Sequence, residues 1–278
     1  MTVKIVTDST ADIPAKVAQE LDIAVVPLYI HFGQEVFQDG VDIAAGDFYQ
    51  RLTTAQELPK TSAPSSGTFT EVYNKFATKT NEIVSIHIST KLSATYNSAI
   101  VSKNSIETDC QIKVIDSQLT TVALGLTVII AAKAAQAGAN LHEITELTTQ
   151  TISKTHCYAT VDTLEYLHKG GRLGKAQTLL GSILNIKPLI TLQNGEVYPI
   201  ERVRGRSKAI SRICELMDKL NNPREIAIAH ATTPDELASL DTCMHSSFPE
   251  RQPYESIIGS TIGTYLGPGG LVAALVEE

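Results

Sequence analysis

Tryptophan is absent from these 278 residues and only 5% are aromatic, so the core has to be built from Ile, Val, Leu and Ala. A basic tract is missing as well. The formal net charge is −7, and the densest cationic stretch, "ERVRGRSK" at Glu201–Lys208, holds four basic residues and one acid. A nucleic-acid footprint needs a broader patch, so no nucleic-acid partner is expected. No apolar run reaches bilayer length. The longest, around Val122–Ala132, is interrupted by Gly125 and Thr127 and is too short for a membrane span. The opening "MTVKIVTDST" reads as a strand without the apolar stretch of a secretory signal. A soluble, cytoplasmic protein is expected. The four cysteines, Cys110, Cys157, Cys214 and Cys243, lie tens of residues apart, with no CxxC and no Cys/His metal spacing. They are expected to be buried or incidental reduced thiols, with no metal bound.

Catalytic signatures are equally scarce. The chain has no GxSxG elbow, no GxxxxGK[ST] phosphate loop, no HExxH and no EF-hand spacing. Seven histidines are present, none in a nucleophile motif. His31 and His87 follow apolar runs and read as strand-end residues. Asp8, Asp12, Asp39 and Asp42 read as capping and turn residues rather than as metal ligands.

What the chain does contain is an alternation of strands and helices. Strands are predicted at Val3–Thr7, Ile23–His31 (with Pro27 marking an edge or bulge), Ile83–Ile88 and Ile112–Ile115. Helices are predicted near Pro14–Glu20, Gly46–Thr54, Ser66–Lys79 and Leu141–Ser153, with Thr95–Asn104 and an apolar helix ending near Gly138 between them. This order predicts a mainly parallel sheet flanked by helices. A domain boundary is expected near Ser153–His156, giving units 1–155 and 156–278. The second unit reads as mixed α/β, with a strand at Cys157–Val161 and a hairpin turning on Asn194-Gly195. Further elements are predicted at Ser207–Leu220 (helix), Glu225–His230 (strand), Pro234–Cys243 (helix) and Tyr254–Gly259 (strand). "TLEYLHKGGRLGKAQTLLGSILNIKP" reads as helix, Gly-Gly break and helix, and Gly263–Gly270 as a glycine-rich turn.

Three strands end in hydroxyl or Asp residues just before a helix: "VTDST" at Val6–Thr10, "HIST" at His87–Thr90 and "VIDSQ" at Val114–Gln118. In a parallel sheet such junctions share the carboxyl edge, where ligands bind, and helix N-termini there suit an anion. Each junction alone is explained by N-capping; their convergence on one edge is the informative feature. Between them lies "KTSAPSSGTF", Lys60–Phe69, with three serines and two threonines and no charge after Lys60 until Glu71. Neutral hydroxyls without a basic partner hold a polar group but do not attack it. They serve whether a carboxyl is ionised or protonated, and Pro64 stiffens their loop.

Six blocks, in order, resemble the DegV family: "TDSTADIP" at Thr7–Pro14, "TSAPS" at Thr61–Ser65, "STKLSATYNSA" at Ser89–Ala99, "DS" at Asp116–Ser117, "GGRLG" at Gly170–Gly174 and "IGTYLGPGG" at Ile262–Gly270. The resemblance spans nearly the whole chain. It implies a two-domain α/β protein that binds one long-chain fatty acid, such as palmitate, in a buried apolar tunnel between the domains. It further implies that Thr61 and Ser93 hold the carboxyl group, with Ser62 as a neighbour and Tyr265 as a third contact. In some bacteria such proteins present the fatty acid to an ATP-dependent kinase subunit and contribute no catalysis or cofactor of their own. Two positions depart from the family pattern. Ala94 replaces a glycine, and Tyr265 stands where a histidine is often found; its phenol donates a hydrogen bond but does not become a cation near neutral pH. Arg172 in "GGRLG", with Arg202, Arg204 and Arg206, are candidates for docking an acidic partner. The alternative to a carrier is an acyl hydrolase with Ser93 as nucleophile, which requires a base within hydrogen-bond reach; His87 is the nearest histidine in sequence.

Overall fold

The computed structural model describes residues 2–180 and 185–278. The first half contains β1 (Lys4–Asp8), α1 (Ala15–Glu20), β2 (Ala24–Val26), β3 (Tyr29–Phe32), β4 (Glu35–Gln38), α2 (Ala45–Thr54), β5 (Lys60–Ser62), α3 (Ser66–Ala77), β6 (Glu82–His87), α4 (Thr95–Ser105), β7 (Gln111–Asp116), α5 (Thr121–Gln136) and α6 (Leu141–Ser153). Strands β2-β1-β6-β7 form the expected parallel sheet, in that order. Helices connect its strands, and its buried side chains are the aliphatic runs seen in the sequence.

The predicted strand Ile23–His31 is two strands in two sheets. Proline lacks an N–H and cannot continue a ladder, so the chain leaves the parallel sheet at Pro27. It re-enters structure as β3, which pairs antiparallel with β4 and β5. The hydroxyl-rich Lys60–Ser62, expected to be loop, is thus an edge strand, and Glu35–Gln38 is a strand that its polar composition hides.

The second half contains β8 (Thr155–Thr160), α7 (Glu165–Lys169), β9 (Ile186–Gln193), β10 (Glu196–Arg204), α8 (Arg206–Met217), β11 (Pro223–His230), α9 (Pro234–Ser247), β12 (Tyr254–Ile257), α10 (Ser260–Leu266) and β13 (Leu271–Glu277). Its sheet runs β10-β9-β8-β13-β11-β12, antiparallel except for β11 with β12. The Asn194-Gly195 turn is present, with φ of 49° and 80°. A side chain at Gly195 would collide with Ser89, because the hairpin tip reaches across to the loop after β6; Ser89 Oγ donates to the Gly195 carbonyl at 2.8 Å. The expected helix after the Gly-Gly break is a 3-10 segment, Gly174–Leu179, and the remainder of that prediction extends into 181–184, outside the described residues. The supposed glycine-rich turn at 263–270 is half helix: α10 runs to Leu266 before Gly267 turns the chain.

Helix α5 has 13 of its 16 residues buried. A helix apolar on every side needs partners on every side. It packs on β1 of one sheet and on β8, β11 and β13 of the other. The two sheets divide near residue 155, but the largest hydrophobic cluster runs through both, from Ile5 and Val84 through α5 to Ala159 and Val272.

One cysteine expectation is corrected. Cys214 of α8 and Cys243 of α9 are joined in a disulfide, their Cα atoms 6.1 Å apart, whereas Cys110 and Cys157 are free thiols. The helices meet face to face although the residues are far apart in sequence, a proximity that spacing could not reveal.

Candidate functional site

A cavity opens at the seam between the sheets. Its floor comes from the second sheet. Val272, Ala159 and Ile190 are register neighbours across β13, β8 and β9, and all three face the cavity. Side chains alternate along a strand, so Cys157 lies on the same face as Ala159, and these two small residues on β8 leave the space open. Leu28, Ile88, Leu92, Leu167, Ile262 and Leu266 supply much of the remaining apolar wall.

The mouth carries hydroxyls. Thr61 Oγ1 and the Tyr265 phenol are 2.6 Å apart, and Ser93 lines the cavity nearby, its Oγ bonded to Thr95 Oγ1 at 2.9 Å. Thr61 arrives on β5 and Tyr265 on α10, 204 positions apart in sequence. Tyr265 fits because Gly170 has no side chain; a Cβ there would strike its ring. Ala94 has φ −80°, so the residue in place of the family's glycine is unstrained.

Ser62 is not a neighbour of this group. It follows Thr61 on a strand and points the other way, exposed, with its Oγ 2.8 Å from His31 Nε2. The rest of the hydroxyl-rich stretch is structural: Ser65 caps α3 by accepting from Thr68 N and contacts Thr68 Oγ1. Arg172 lines the cavity. Its guanidinium stacks 5.2 Å from the Tyr265 ring centre and donates to the Leu92 and Gly170 carbonyls. Arg202 donates to the carbonyls of Thr178, Leu179 and Leu180, closing the 3-10 segment. Arg206 is held bidentate by Glu236. These three arginines therefore have structural partners, which the sequence reading did not foresee.

His87 is unable to serve Ser93. It is fully buried, with Nδ1 2.9 Å from Asp8 Oδ2 and Nε2 2.7 Å from Ser85 Oγ. Among the described residues no histidine is hydrogen-bonded to Ser93, and no group of His, Cys, Asp and Glu could hold a metal ion.

Beside the cavity, two buried aspartates from the first half grip the second half. Asp12 accepts from Gly259 N at 2.9 Å and is 2.7 Å from Thr121 Oγ1. Asp39 accepts from Ser260 N, Thr261 N and Ser9 Oγ at 3.0–3.2 Å. Together they fix the start of α10, the helix that carries Tyr265. Asp42, by contrast, accepts from Gln38 N in a turn, as expected. Burial raises the Asp12 carboxyl from its ordinary 3.8 to about 8, with Asp39 and Asp8 adding to the rise and the bonds from Thr121 and Gly259 opposing it. A folded pKa above the unfolded one favours folding fully below about pH 4, and that contribution is lost as pH climbs toward 8. Unfolding free energy is therefore expected to fall between pH 5 and 8, by up to about 1.4 kcal/mol per pH unit. Asp12→Asn keeps both hydrogen bonds and tolerates φ 47° at this position; denaturant titrations at three pH values should show the slope removed, and an unchanged slope would count against this role.

The DegV family model, described as "Uncharacterised protein, DegV family", matches residues 2–278. Protein DegV of Bacillus subtilis is 33% identical, covering 98% of each chain. A DegV domain-containing protein of Streptomyces coelicolor is 36% identical over 96% of this chain and 95% of its own. Among solved structures, a fatty-acid-binding DegV family protein from Thermus thermophilus superposes with a TM-score of 0.92 at 28% identity, covering all of both chains. The structure of DegV from Bacillus subtilis, described as a fatty acid binding protein, gives 0.90 at 31%, again over all of both chains. A stearic-acid-binding protein from Eubacterium ventriosum gives 0.90 at 26%, over 99% of this chain and 98% of its own. No helix among the described residues is long and apolar enough to cross a membrane.

Proposed function

The chain belongs to the DegV family, and from that membership we propose that it binds one long-chain fatty acid, such as palmitate, as a non-catalytic carrier. One observation carries the reading: a largely apolar cavity whose wall carries the hydroxyls of Thr61, Ser93 and Tyr265, with the Arg172 guanidinium stacked on the Tyr265 ring. Ligand sites are mostly apolar with a few placed polar groups, and the lining of this cavity has that character, which suits an acyl chain. Its fifteen-carbon tail contributes roughly 12 kcal/mol gross at about 0.8 per CH₂, much of it offset by association costs. Each hydroxyl contact adds about 1 kcal/mol, or up to about 3 with an ionised carboxylate. The tail thus sets affinity, and the hydroxyls set direction and depth. Among the described residues the hydrogen-bond partners of Ser93 Oγ are the hydroxyl and N–H of Thr95, with no base among them, which favours holding over hydrolysis.

Organic extraction of the purified protein followed by mass spectrometry tests the reading. A co-purifying fatty acid is expected. Thr61→Val combined with Ser93→Ala should lower palmitate affinity about 10- to 100-fold, the equivalent of one to two hydrogen bonds. Finding no lipid and no uptake of palmitate or oleate would overturn the proposal.

Presentation of the carboxyl to an ATP-dependent kinase is the finer reading. It is favoured by a shallow pocket continuous with the mouth, shared at Leu92, Arg172 and Val197 and bordered by Lys91 and Lys175. Cations there suit a partner carrying phosphates. Lys175→Glu should slow ATP-dependent phosphorylation of bound palmitate without releasing it; unaltered turnover would remove this docking surface.

A further inference from the structure

Two ties hold α8 against α9. Arg206, the first residue of α8, grips Glu236, in the first turn of α9, through Nε and Nη2 at 2.8 and 2.7 Å. Cys214 and Cys243 meet further along, their Cα atoms 6.1 Å apart. From one tie to the next is eight residues on α8 (206 to 214) and seven on α9 (236 to 243), about two helical turns on each. The helices therefore run side by side, in the same direction and in step, although β11 lies between them in the chain. The ion pair fixes that alignment independently of the sulfurs, so the two cysteines stay neighbours when the bond between them is open.

The place of this pair gives it a task. Ile213 of α8 and Leu240 of α9 share a buried cluster with Leu189 of β9 and with Leu271 and Ala273 of β13. Side chains alternate along a strand, and Ile190 and Val272, one step along, line the cavity on the other face. The two helices are thus the backing of the cavity floor. Cys214 and Cys243 are half-buried, whereas Cys157 is sealed in the interior. A cross-link over 29 positions of sequence restricts the unfolded chain and stabilises the fold. Where small thiols keep proteins reduced, the disulfides that do form are mostly transient or redox-sensing.

We propose that Cys214 and Cys243 are a redox-responsive fastener for the helical layer behind the cavity floor. The co-reactant is a small-molecule disulfide of the glutathione class. One cysteine, as its thiolate, attacks a sulfur of that disulfide; a mixed disulfide forms and one small thiol leaves. The second cysteine, held alongside by the aligned helices, attacks the protein sulfur of the mixed disulfide. The Cys214–Cys243 bond closes and the second small thiol leaves. The protein gives up two electrons and two protons, and the small disulfide takes up both as it becomes two thiols. An excess of small thiol runs both steps backwards. Oxidation locks α8 to α9, and reduction leaves the Arg206–Glu236 pair and the buried cluster to hold them.

The full chain, equilibrated with glutathione disulfide or with excess dithiothreitol, tests this by intact mass, peptide mapping and thermal melts. The oxidised form is expected to be lighter by two hydrogens, with the link mapped to Cys214 and Cys243. It should melt about 5–10 °C above the reduced form, the shift expected for a loop of this length in a chain of this size. Returning it to dithiothreitol should restore the lower melting temperature. Cys214→Ser and Cys243→Ser should each melt at one temperature in both buffers, close to that of the reduced native protein. The native chain is compared with itself, so the result does not depend on either variant folding. Two free thiols persisting in glutathione disulfide, glutathione carried on the separate cysteines in place of the link, or a linked form melting within about 2 °C of the reduced one each overturns the proposal.

Discussion

Ala159→Phe is expected to cut palmitate affinity about a thousand-fold. Ala159 sits on β8 between Val272 and Ile190, its Cβ directed into the cavity. Beyond that methyl lies open space, which a phenyl ring would fill. If the ring displaces about five methylenes of the guest, the loss is about 4 kcal/mol at about 0.8 per CH₂, close to three powers of ten in Kd. The ring enters existing space, so the usual overpacking cost of about 1–3 kcal/mol should be small and the melting temperature should hold or rise. Isothermal titration with palmitate, beside a thermal melt, checks both parts. Undiminished palmitate binding in a folded variant would place the acyl chain elsewhere.

Asp39→Ala should have the largest effect on stability. Asp39 is 5% exposed and accepts three hydrogen bonds, two of them from the first N–H groups of α10. Removing the carboxylate strands those donors in the interior at about 1–3 kcal/mol each, so a total loss of about 3–5 kcal/mol is expected. Asp39→Asn retains one acceptor and should lose less. Because α10 carries Thr261, Ile262, Tyr265 and Leu266 into the cavity wall, ligand retention should fall together with the denaturation midpoint. Urea titration reads the midpoint and the slope separately. A shift under about 0.5 kcal/mol, the range of ordinary surface substitutions, would mean that α10 is held by other contacts.

The same two aspartates mark where the sequence stops being legible. As residues of a polar loop, Asp12 and Asp39 read as turn formers, and nothing near them in the chain announces Gly259 or Ser260 as partners. The strands and helices that can be read are those with local causes: aliphatic runs for β1, β6 and β7, and Asn194-Gly195 for the hairpin. Those that cannot are polar edge strands such as β4 and β5, which exist because β3 offers a ladder between them. For the site, the ordered family motifs point to Thr61, Ser93 and Tyr265, and the structure brings these three to one mouth. Ser62 fails by the simple alternation of strand faces. The carbonyl and carboxylate partners of Arg172, Arg202 and Arg206 are out of view in a motif, because nothing in the local sequence points to them.

Helix α5 has an outcome for mechanics. Prising the sheets apart like a clam would strip its aliphatic surface from one side or the other and wet more than a dozen side chains at once. On the proposed reading, an acyl chain is expected to come and go through a local breach at the rim. Heating should produce a single cooperative melt, with neither half surviving as a separate body.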